Sequence, residues 1–376
     1  MITLPGMDKV WAALPEARMV GGAVRDMLAG GAVADVDFAS PLMPRVVVAR
    51  AKALGLKAVP TGFEHGTVTI VVGGRGFEVT SLRRDVETDG RHAVVAFTDD
   101  WREDAARRDF TINAMSCTRD GEIFDYFGGR ADLAAGIVRF VGAAAERIAE
   151  DYLRILRFFR FFARYGQGGP DAEAVAAIKA GREGLRQLSV ERVWSEVKKI
   201  LAAPAPLAAV ELMRETGVLE IILPGAQPER LAALLRRGAP VDPLLRVAAL
   251  TDEDLAVRLK LSGAEAQRLV GLRQKFVLRP GDDDAALRRA LADEPHEVLI
   301  GQSWLWDGDG AGLRTRLMSI ERPVFPLQGR DLAALGVEPG PRMGVVLAEV
   351  RRWWLEGGCV AGKAECLEQV RGFASG

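Results

Sequence analysis

The sequence predicts an α+β protein in which a mixed sheet with helices is followed by an elongated, all-helical second part. Two observations predict it. Before about residue 145, short runs rich in β-branched and aromatic residues are punctuated by glycine, the texture of strands and tight turns. Beyond it, long segments of Ala, Leu, Glu and Arg repeat with a helical period and almost no alternation. A chain of 376 residues has length for two to three domains at about 150 residues each.

In chain order, Ala23 to Leu28 and Pro44 to Leu54 read as helices, with Ala34 to Ala39 (ADVDFA) a strand between them. Thr67 to Val72 (TVTIVV) and Phe77 to Thr80 (FEVT) flank Gly73-Gly74-Arg75-Gly76, the pattern of a hairpin. Glu122 to Tyr126 is a further strand candidate. Helices are expected at Ala145 to Tyr165, Asp171 to Gly181, Val190 to Leu201, Pro206 to Thr216, Pro228 to Leu235 and Glu265 to Phe276. Proline and glycine separate them, at Pro204/Pro206, Ala239 to Pro243, Arg279 to Asp284 and Pro339-Gly340-Pro341.

Lys and Arg total 50 and Asp and Glu 51, a net charge of -1. That balance argues against a histone-like binder or a long basic arm, so any nucleic-acid surface must be local. Only nine of the basic residues are Lys. Arg suits bidentate contacts to phosphates and base edges, although genome composition also produces such a bias. Three cysteines without a CxxC pattern indicate neither a disulfide framework nor a cysteine zinc site. The three histidines, His65, His92 and His296, exclude HExxH zinc chemistry and argue against a Ser-His-Asp triad. No apolar run approaches the ~18 residues of a membrane span, and the opening MITLPGMDKVW lacks a signal-peptide pattern. A cytoplasmic protein is expected.

Three clusters carry chemistry. The first is Val20-Gly21-Gly22-Ala23-Val24-Arg25-Asp26 followed by Asp35-Val36-Asp37-Phe38. Two glycines between a strand and a helix let backbone N–H groups approach an anion, although a Gly-Gly pair is often only a turn. On a strand, Asp35 and Asp37 project from the same face. Their mutual repulsion is relieved by a divalent cation, or by simple exposure at a strand end. The second cluster is Arg107-Arg108-Asp109-Phe110-Thr111-Ile112-Asn113-Ala114, either a structural ion pair or a triphosphate-holding arginine beside a ribose-binding carboxylate. The third is Glu150-Asp151-Tyr152-Leu153-Arg154-Ile155-Leu156-Arg157-Phe158-Phe159-Arg160. At 100° per residue, Asp151, Arg154 and Arg157 share a face of about 120°, while Arg160 falls about 180° from Asp151. Asp accepts and Arg donates, so together they address a nucleobase edge; a solvated ion pair is the alternative. From Arg139 to Tyr165 six basic and three acidic residues form the local basic patch that the overall balance conceals.

The ordered set GGAVRD, DVD, RRDFTINA, DYFGGRADL, EDYLRILR and ERVWSEVKKIL resembles the class II tRNA nucleotidyltransferase and bacterial poly(A) polymerase family. This is the helical-bodied branch of the polymerase beta superfamily. The motifs span residues 20–201, and LQGRDLAALGVEPGPRMGVVL (residues 327–347) extends the likeness loosely towards the end. The resemblance implies a polymerase-beta-like nucleotidyltransferase head at 1–144, a helical neck that reads the base at 145–204, and a helical body and tail that bind tRNA at 205–376. Gly22 and Arg25 match residues that contact the nucleotide's phosphates, and Asp35 and Asp37 match the catalytic carboxylates that ligate Mg2+. Arg108 matches the triphosphate-binding arginine, Asp109 the ribose position, and Asp151 with Arg154 the pair that reads C or A in place of a template. Arg157 and Arg160 match further nucleotide-site arginines, and Glu78 is a candidate third carboxylate.

What the family implies is addition of C, C and A to a tRNA 3′ end from CTP and ATP, by two-metal attack of the 3′-hydroxyl on the α-phosphate with release of pyrophosphate. The expected partners are tRNA, through its 3′ end and acceptor arm, and the two triphosphates. No membrane and no obligate protein partner is expected. Arg83 to Ala93 (RRDVETDGRHA) looks like the flexible loop of complete CCA-adding members, which CC-only members tend to lack. Bacterial poly(A) polymerases look longer, with a basic extension, whereas Cys359 to Gly376 is balanced. Poly(A), CC-only and A-only addition stand as the alternatives within the family. With His296 the only histidine beyond residue 92, the phosphohydrolase domain of some members is not expected. Outside the family's activity, an inactive RNA binder would not need Asp35, Asp37 and Arg108, and the long helical part favours RNA over a small-molecule acceptor.

Overall fold

Alternation of buried and open positions in the first part of the chain builds a sheet. The computed structural model describes residues 4–33, 35–88, 93–306 and 308–374. Its strands are β1 (Arg18–Val20), β2 (Asp37–Ser40), β3 (Lys57–Gly62), β4 (Thr67–Val72), β5 (Arg75–Ser81), β6 (Arg83–Thr88), β7 (Ala93–Phe97), β8 (Ser116–Cys117) and β9 (Ile123–Phe124). Seven form one sheet in the order β3-β4-β5-β2-β1-β8-β9. Within it β2 runs parallel to β5 and every other neighbour is antiparallel. Helices α1 (Met7–Ala13), α2 (Gly22–Leu28), α3 (Pro44–Ala53), α4 (Trp101–Ala106) and α5 (Gly129–Ala135) interleave with the strands. Met7, Val10 and Trp11 of α1 and Val47 of α3 bury against Phe38, Val68, Ile70 and Phe77 of the sheet. Trp11 meets Phe38 edge-on with centroids 5.2 Å apart. The expected hairpin joins β4 to β5 through Gly73 and Gly74, whose φ of 58° and 84° meet the type I′ requirement of two positive values.

The sheet also corrects three expectations. β2 begins at Asp37: its neighbour β1 ends at Val20, opposite Asp37, and the pairing with β5 likewise begins at Asp37, opposite Glu78, so Asp35 precedes the ladder. The start of the expected strand, Ala34, lies outside the described residues. Glu122 to Tyr126 is a strand only over Ile123–Phe124, because its partner β8 offers two residues. Where a loop was expected at Arg83 to Ala93, β6 and β7 pair as an antiparallel ribbon; Asp89 to His92 lie outside the described residues.

The helical part continues with α6 (Ala144–Glu150), α7 (Leu153–Tyr165), α8 (Ala172–Gly181), α9 (Val190–Leu201), α10 (Leu207–Glu215) and α11 (Val218–Ile222). The single helix expected from Ala145 to Tyr165 is therefore two. Asp151 is extended, at φ −155° and ψ 107°, and its Oδ1 accepts from the Leu153 amide at 3.0 Å. Aspartate satisfies a free amide at a helix start, and a hydrophobic period that continues across the cap hides it. Behind α7, Phe158 stacks between Phe140 and Phe162, both 6.0 Å away and tilted by 11° and 10°, with Phe159 edge-on at 5.5 Å.

Two compact units divide the chain, Met1–Pro224 and Gly225–Gly376. The second contains α12 (Pro228–Arg236), α13 (Pro243–Leu250), α14 (Gly263–Arg273), α15 (Asp284–Asp293), α16 (His296–Leu305), α17 (Ala311–Ser319), α18 (Gly329–Ala333), α19 (Pro341–Glu356) and α20 (Lys363–Ala374). Three of these helices start at side-chain caps, α13 at Asp242, α14 at Ser262 and α15 at Asp283. The Ser262 box starts α14 ahead of Glu265, and the helix stops at Arg273 rather than Phe276. Leu287, Leu291, Leu299, Leu313 and Leu317 form one core of this unit, and Leu332, Val346, Val350, Trp354 and Val370 another. Among the described residues no helix is long and apolar enough to cross a membrane.

Candidate functional site

Strand β1 ends at Val20, and the chain enters α2 through Gly21, at φ 65° and ψ −126°, a conformation that only glycine reaches cheaply. A Cβ on Gly21 would stand 3.0 Å from Arg108 Nη1, so this turn is also a close approach. From α2, Arg25 is 8% exposed. Its Nη1 donates to Asn113 Oδ1 at 2.5 Å and its Nε to Asp26 Oδ1 at 3.0 Å.

The carboxylates stand beside this turn. Asp37 opens β2, with Val20 opposite on one side and Glu78 of β5 on the other. Asp35 precedes the ladder, so the two aspartates are not successive same-face positions of one strand; both are exposed. The Asp37 carboxyl is pushed above the usual range by its dense surroundings, then by the negative charges of Glu78 and Asp35, with Arg108 pulling the other way. Among the described residues no three His, Cys, Asp or Glu side chains form a ready metal cage. Mg2+ needs none: it usually binds one or two carboxylates, keeps water, and takes the rest of its shell from substrate phosphates. The all-oxygen donors and the mutual repulsion of Asp37 with Glu78 and Asp35 fit such an ion.

The segment holding Arg107, Arg108 and Asp109 is aligned by a short ladder. Thr111 donates its amide to the Arg139 carbonyl at 3.0 Å and Val141 to that of Asp109 at 3.1 Å. Arg107 pairs with Asp104 at 3.0 Å; Arg108 reaches Asp104 and the Asn113 carbonyl, both at 3.4 Å. Asp109 is buried, and both of its oxygens accept hydrogen bonds. Its Oδ1 accepts from the Phe110 amide and Asn113 Nδ2, both at 2.9 Å, and its Oδ2 from Arg157 Nε at 2.6 Å. Burial alone would raise its pKa; the Arg157 charge and these hydrogen bonds outweigh burial and hold it below the usual range.

Asp151, at the break before α7, pairs with Arg192 of α9 at 2.7 Å. Arg154 pairs with Glu150 and donates to the Arg147 carbonyl at 2.9 Å. Arg160 pairs with Glu196 at 3.1 Å and lies over the Phe161 ring at 4.4 Å; burial draws its pKa down against the pull of Glu196. Gly22, Arg25, Arg108, Asp109, Asp151, Arg154, Arg157 and Arg160 all line one cleft of about 1050 Å³. Arg160 joins although the single-helix wheel sets it opposite Asp151, because Asp151 is off the helix and Arg154, Arg157 and Arg160 span only about 120° of α7. Asp35 and Asp37 are not in the lining; they flank its Gly21–Arg108 end. Sequence reasoning passed over Asn113, Arg164, Arg192 and Lys199, which also line the cleft. Asn113 and Arg192 sit inside motifs already quoted, so a polar residue set in an apolar run was the available signal. Eight cations and two carboxylates line this cleft, a balance that favours a polyanion.

Residues 17–139 match the model of the poly A polymerase head domain, and residues 170–229 that of the probable RNA and SrmB-binding site of polymerase A. The mitochondrial CCA tRNA nucleotidyltransferase 1 of Mus musculus is 36% identical over 376 residues, 95% of this chain and 86% of the relative. The CCA-adding enzyme of Geobacillus stearothermophilus is 35% identical over 335 residues, 87% of this chain and 76% of the relative. The crystal structure of the Bacillus stearothermophilus CCA-adding enzyme in complex with CTP superposes with a TM-score of 0.74 at 27% identity, covering 99% of this chain and all of that one. The Thermotoga maritima CCA-adding enzyme complexed with tRNA shares the fold, with a TM-score of 0.69 at 21% identity over 98% of this chain and 96% of that one.

Proposed function

We infer the activity of this chain from its family and its cleft: it belongs to the CCA tRNA nucleotidyltransferases, the CCA-adding enzymes, and adds C, C and A to the 3′ end of tRNA from CTP and ATP. Enzymes of this family use divalent metal ions, and the ion proposed here is Mg2+. The observation that carries the reading is the convergence of Arg25, Arg108, Asp109, Asp151, Arg154 and Arg157 on one cleft of about 1050 Å³, flanked by Asp35 and Asp37. That volume lies at the top of the usual range for ligand pockets, about 300–1,000 Å³. The proposed division is a head at 1–144, a base-reading neck at 145–204 and a tRNA-binding body and tail at 205–376. A cytoplasmic location is proposed with it.

The residues act through position and charge. Gly21 and Gly22 bring the backbone close to the triphosphate, whose oxygens Arg25 and Arg108 hold. Asp109 meets the ribose, and Arg157 and Arg160 add positive charge along the nucleotide. Cytosine and adenine each offer an amino donor beside an unprotonated ring nitrogen, whereas uracil and guanine offer a carbonyl beside an N–H. An acceptor from Asp151 and a donor from Arg154 therefore complement C and A and mismatch U and G. Asp35 and Asp37 hold the Mg2+, which when bound lowers the pKa of the attacking hydroxyl and neutralises charge on the phosphates. The tRNA 3′-hydroxyl attacks the α-phosphorus and pyrophosphate leaves in line.

Purified protein with Mg2+ and a tRNA ending at its discriminator base, offered CTP, ATP or both, tests the reading. Growth by three nucleotides with both, and by two with CTP alone, is the expected ladder. Long A tails mark a polyadenylase; arrest after two C with both triphosphates, or addition of a single A, marks a partial enzyme. Any of these overturns the reading.

A further inference from the structure

The hydroxyl of Tyr165 donates to Asp26 Oδ1, joining the last turn of α7 to α2 across 139 positions of chain. The same oxygen accepts from Arg25 Nε at 3.0 Å and lies 2.9 Å from Arg25 Nη2. Arg25 Nη1 donates to Asn113 Oδ1 at 2.5 Å, Asn113 Nδ2 to Asp109 Oδ1 at 2.9 Å, and Arg157 Nε to Asp109 Oδ2 at 2.6 Å. Arg157 is again on α7, two turns before Tyr165. The chain of hydrogen bonds thus begins and ends on one helix. Arg157, Phe161 and Tyr165 are four residues apart and form a single stripe, about 40° between successive members. The rings of Phe161 and Tyr165 each lie 4.9 Å from Arg25 Cζ, within cation–π range.

Arg25 is therefore gripped on its edges by Asp26 and Asn113 and covered on its faces by the Phe161 and Tyr165 rings of α7. A guanidinium has five N–H donors; three are spent on Asp26 and Asn113, and two remain for the cleft. An arginine side chain left to itself samples many rotamers and loses that entropy on binding a ligand. Held as it is here, the group meets an anion with that cost already met.

We propose that Tyr165 is a positioning residue: through Asp26 it fixes the Arg25 guanidinium against the triphosphate and locks the phosphate grip of α2 in register with the base-reading helix α7. The proposal rests on the nucleotide reading of the cleft. The phenol is pushed above its ordinary pKa by burial and by Asp26, which keeps it a donor.

Tyr165→Phe keeps the ring and removes the hydroxyl. The expected result is a rise of about five- to twentyfold in KM for both CTP and ATP, with kcat changed less than about threefold and KM for tRNA unchanged. Calorimetric affinity should fall for CTP and not for cytidine, which has no phosphate. In an Arg25→Ala background the same substitution should have no further effect on CTP affinity, and Asp26→Asn should not add to it. A purely structural contact would instead lower thermal stability and add fully to Arg25→Ala. The proposal is overturned if Tyr165→Phe leaves CTP affinity within about twofold, weakens cytidine equally, or adds fully to Arg25→Ala. Wild-type protein that binds CTP but adds no nucleotide contradicts the functional reading and still tests the clamp by affinity. Wild-type protein that binds no CTP overturns both.

Discussion

Asp109 shows how one charge organises a basic cleft. It spends one oxygen on Asn113 and the Phe110 amide and the other on Arg157, and its pKa falls below the ordinary carboxylate range in spite of burial. A lowered folded pKa contributes stability that is present above the unfolded pKa of about 3.9 and is lost as pH falls through the folded value. Asp109→Asn should therefore cost about 1–3 kcal/mol near neutral pH, with the gap to wild type closing as urea unfolding is repeated from about pH 6 down to about pH 3. A gap independent of pH would show that the Arg157 pair does not carry it. Asp35 and Asp37 are proposed to act differently, through a repulsion that a bound cation would relieve. Asp35→Ala or Asp37→Ala should lower incorporation of both CTP and ATP at least about a thousandfold and leave tRNA affinity within about twofold; substantial turnover would remove the metal assignment. These residues were legible because their motifs are local. The role of Asn113 was not, because it depends on which side chains the fold brings to it from α2 and α7.

At the scale of elements, periodicity served well where the hydrophobic pattern and the helix end together. Val190–Leu201 is the helix read from the sequence, and Asp171 caps the helix that starts at Ala172. It failed where a boundary lies inside a continuous hydrophobic pattern, as at Asp151, and where a strand needs a distant partner. Asp35 precedes the ladder, because pairing with both β1 and β5 begins at Asp37, and the stretch from Arg83 became a strand because β7 folds back on it. Both depend on which segment pairs with which, and residue propensity alone does not set that. The aromatic side of α7 is buried behind the cleft. Phe158 is fully buried and touched by the rings of Phe110, Phe140, Phe159 and Phe162. Phe158→Ala should lose about 3–5 kcal/mol of stability, read by chemical unfolding. A loss under about 1 kcal/mol would mean that α7 is not anchored by this cluster.

For the molecule as a whole, a net charge of -1 conceals a strong local asymmetry. Eight cations against two carboxylates in one cleft are offset by acidic residues elsewhere, so total charge is a poor guide to a polyanion partner and local composition a better one. The excess of Arg over Lys acquires a use at Arg25, Arg108, Arg154 and Arg157, where planar donors are held in fixed orientations by carboxylates and carbonyls. The helical second part was legible as a class; its starts were set by caps such as Ser262 and Asp283. The central claim is that side chains of the protein, rather than a nucleic-acid template, choose the nucleotide. Its most direct test offers CTP, ATP, UTP and GTP one at a time, with Mg2+ and a tRNA lacking its last three nucleotides, to wild type, Asp151→Ala and Arg154→Ala. Wild type should use CTP, and ATP once two C are in place, while each variant admits UTP or GTP within about tenfold of its residual rate with CTP. Continued exclusion of UTP and GTP by both variants, with CTP and ATP added at the wild-type rate, would contradict it.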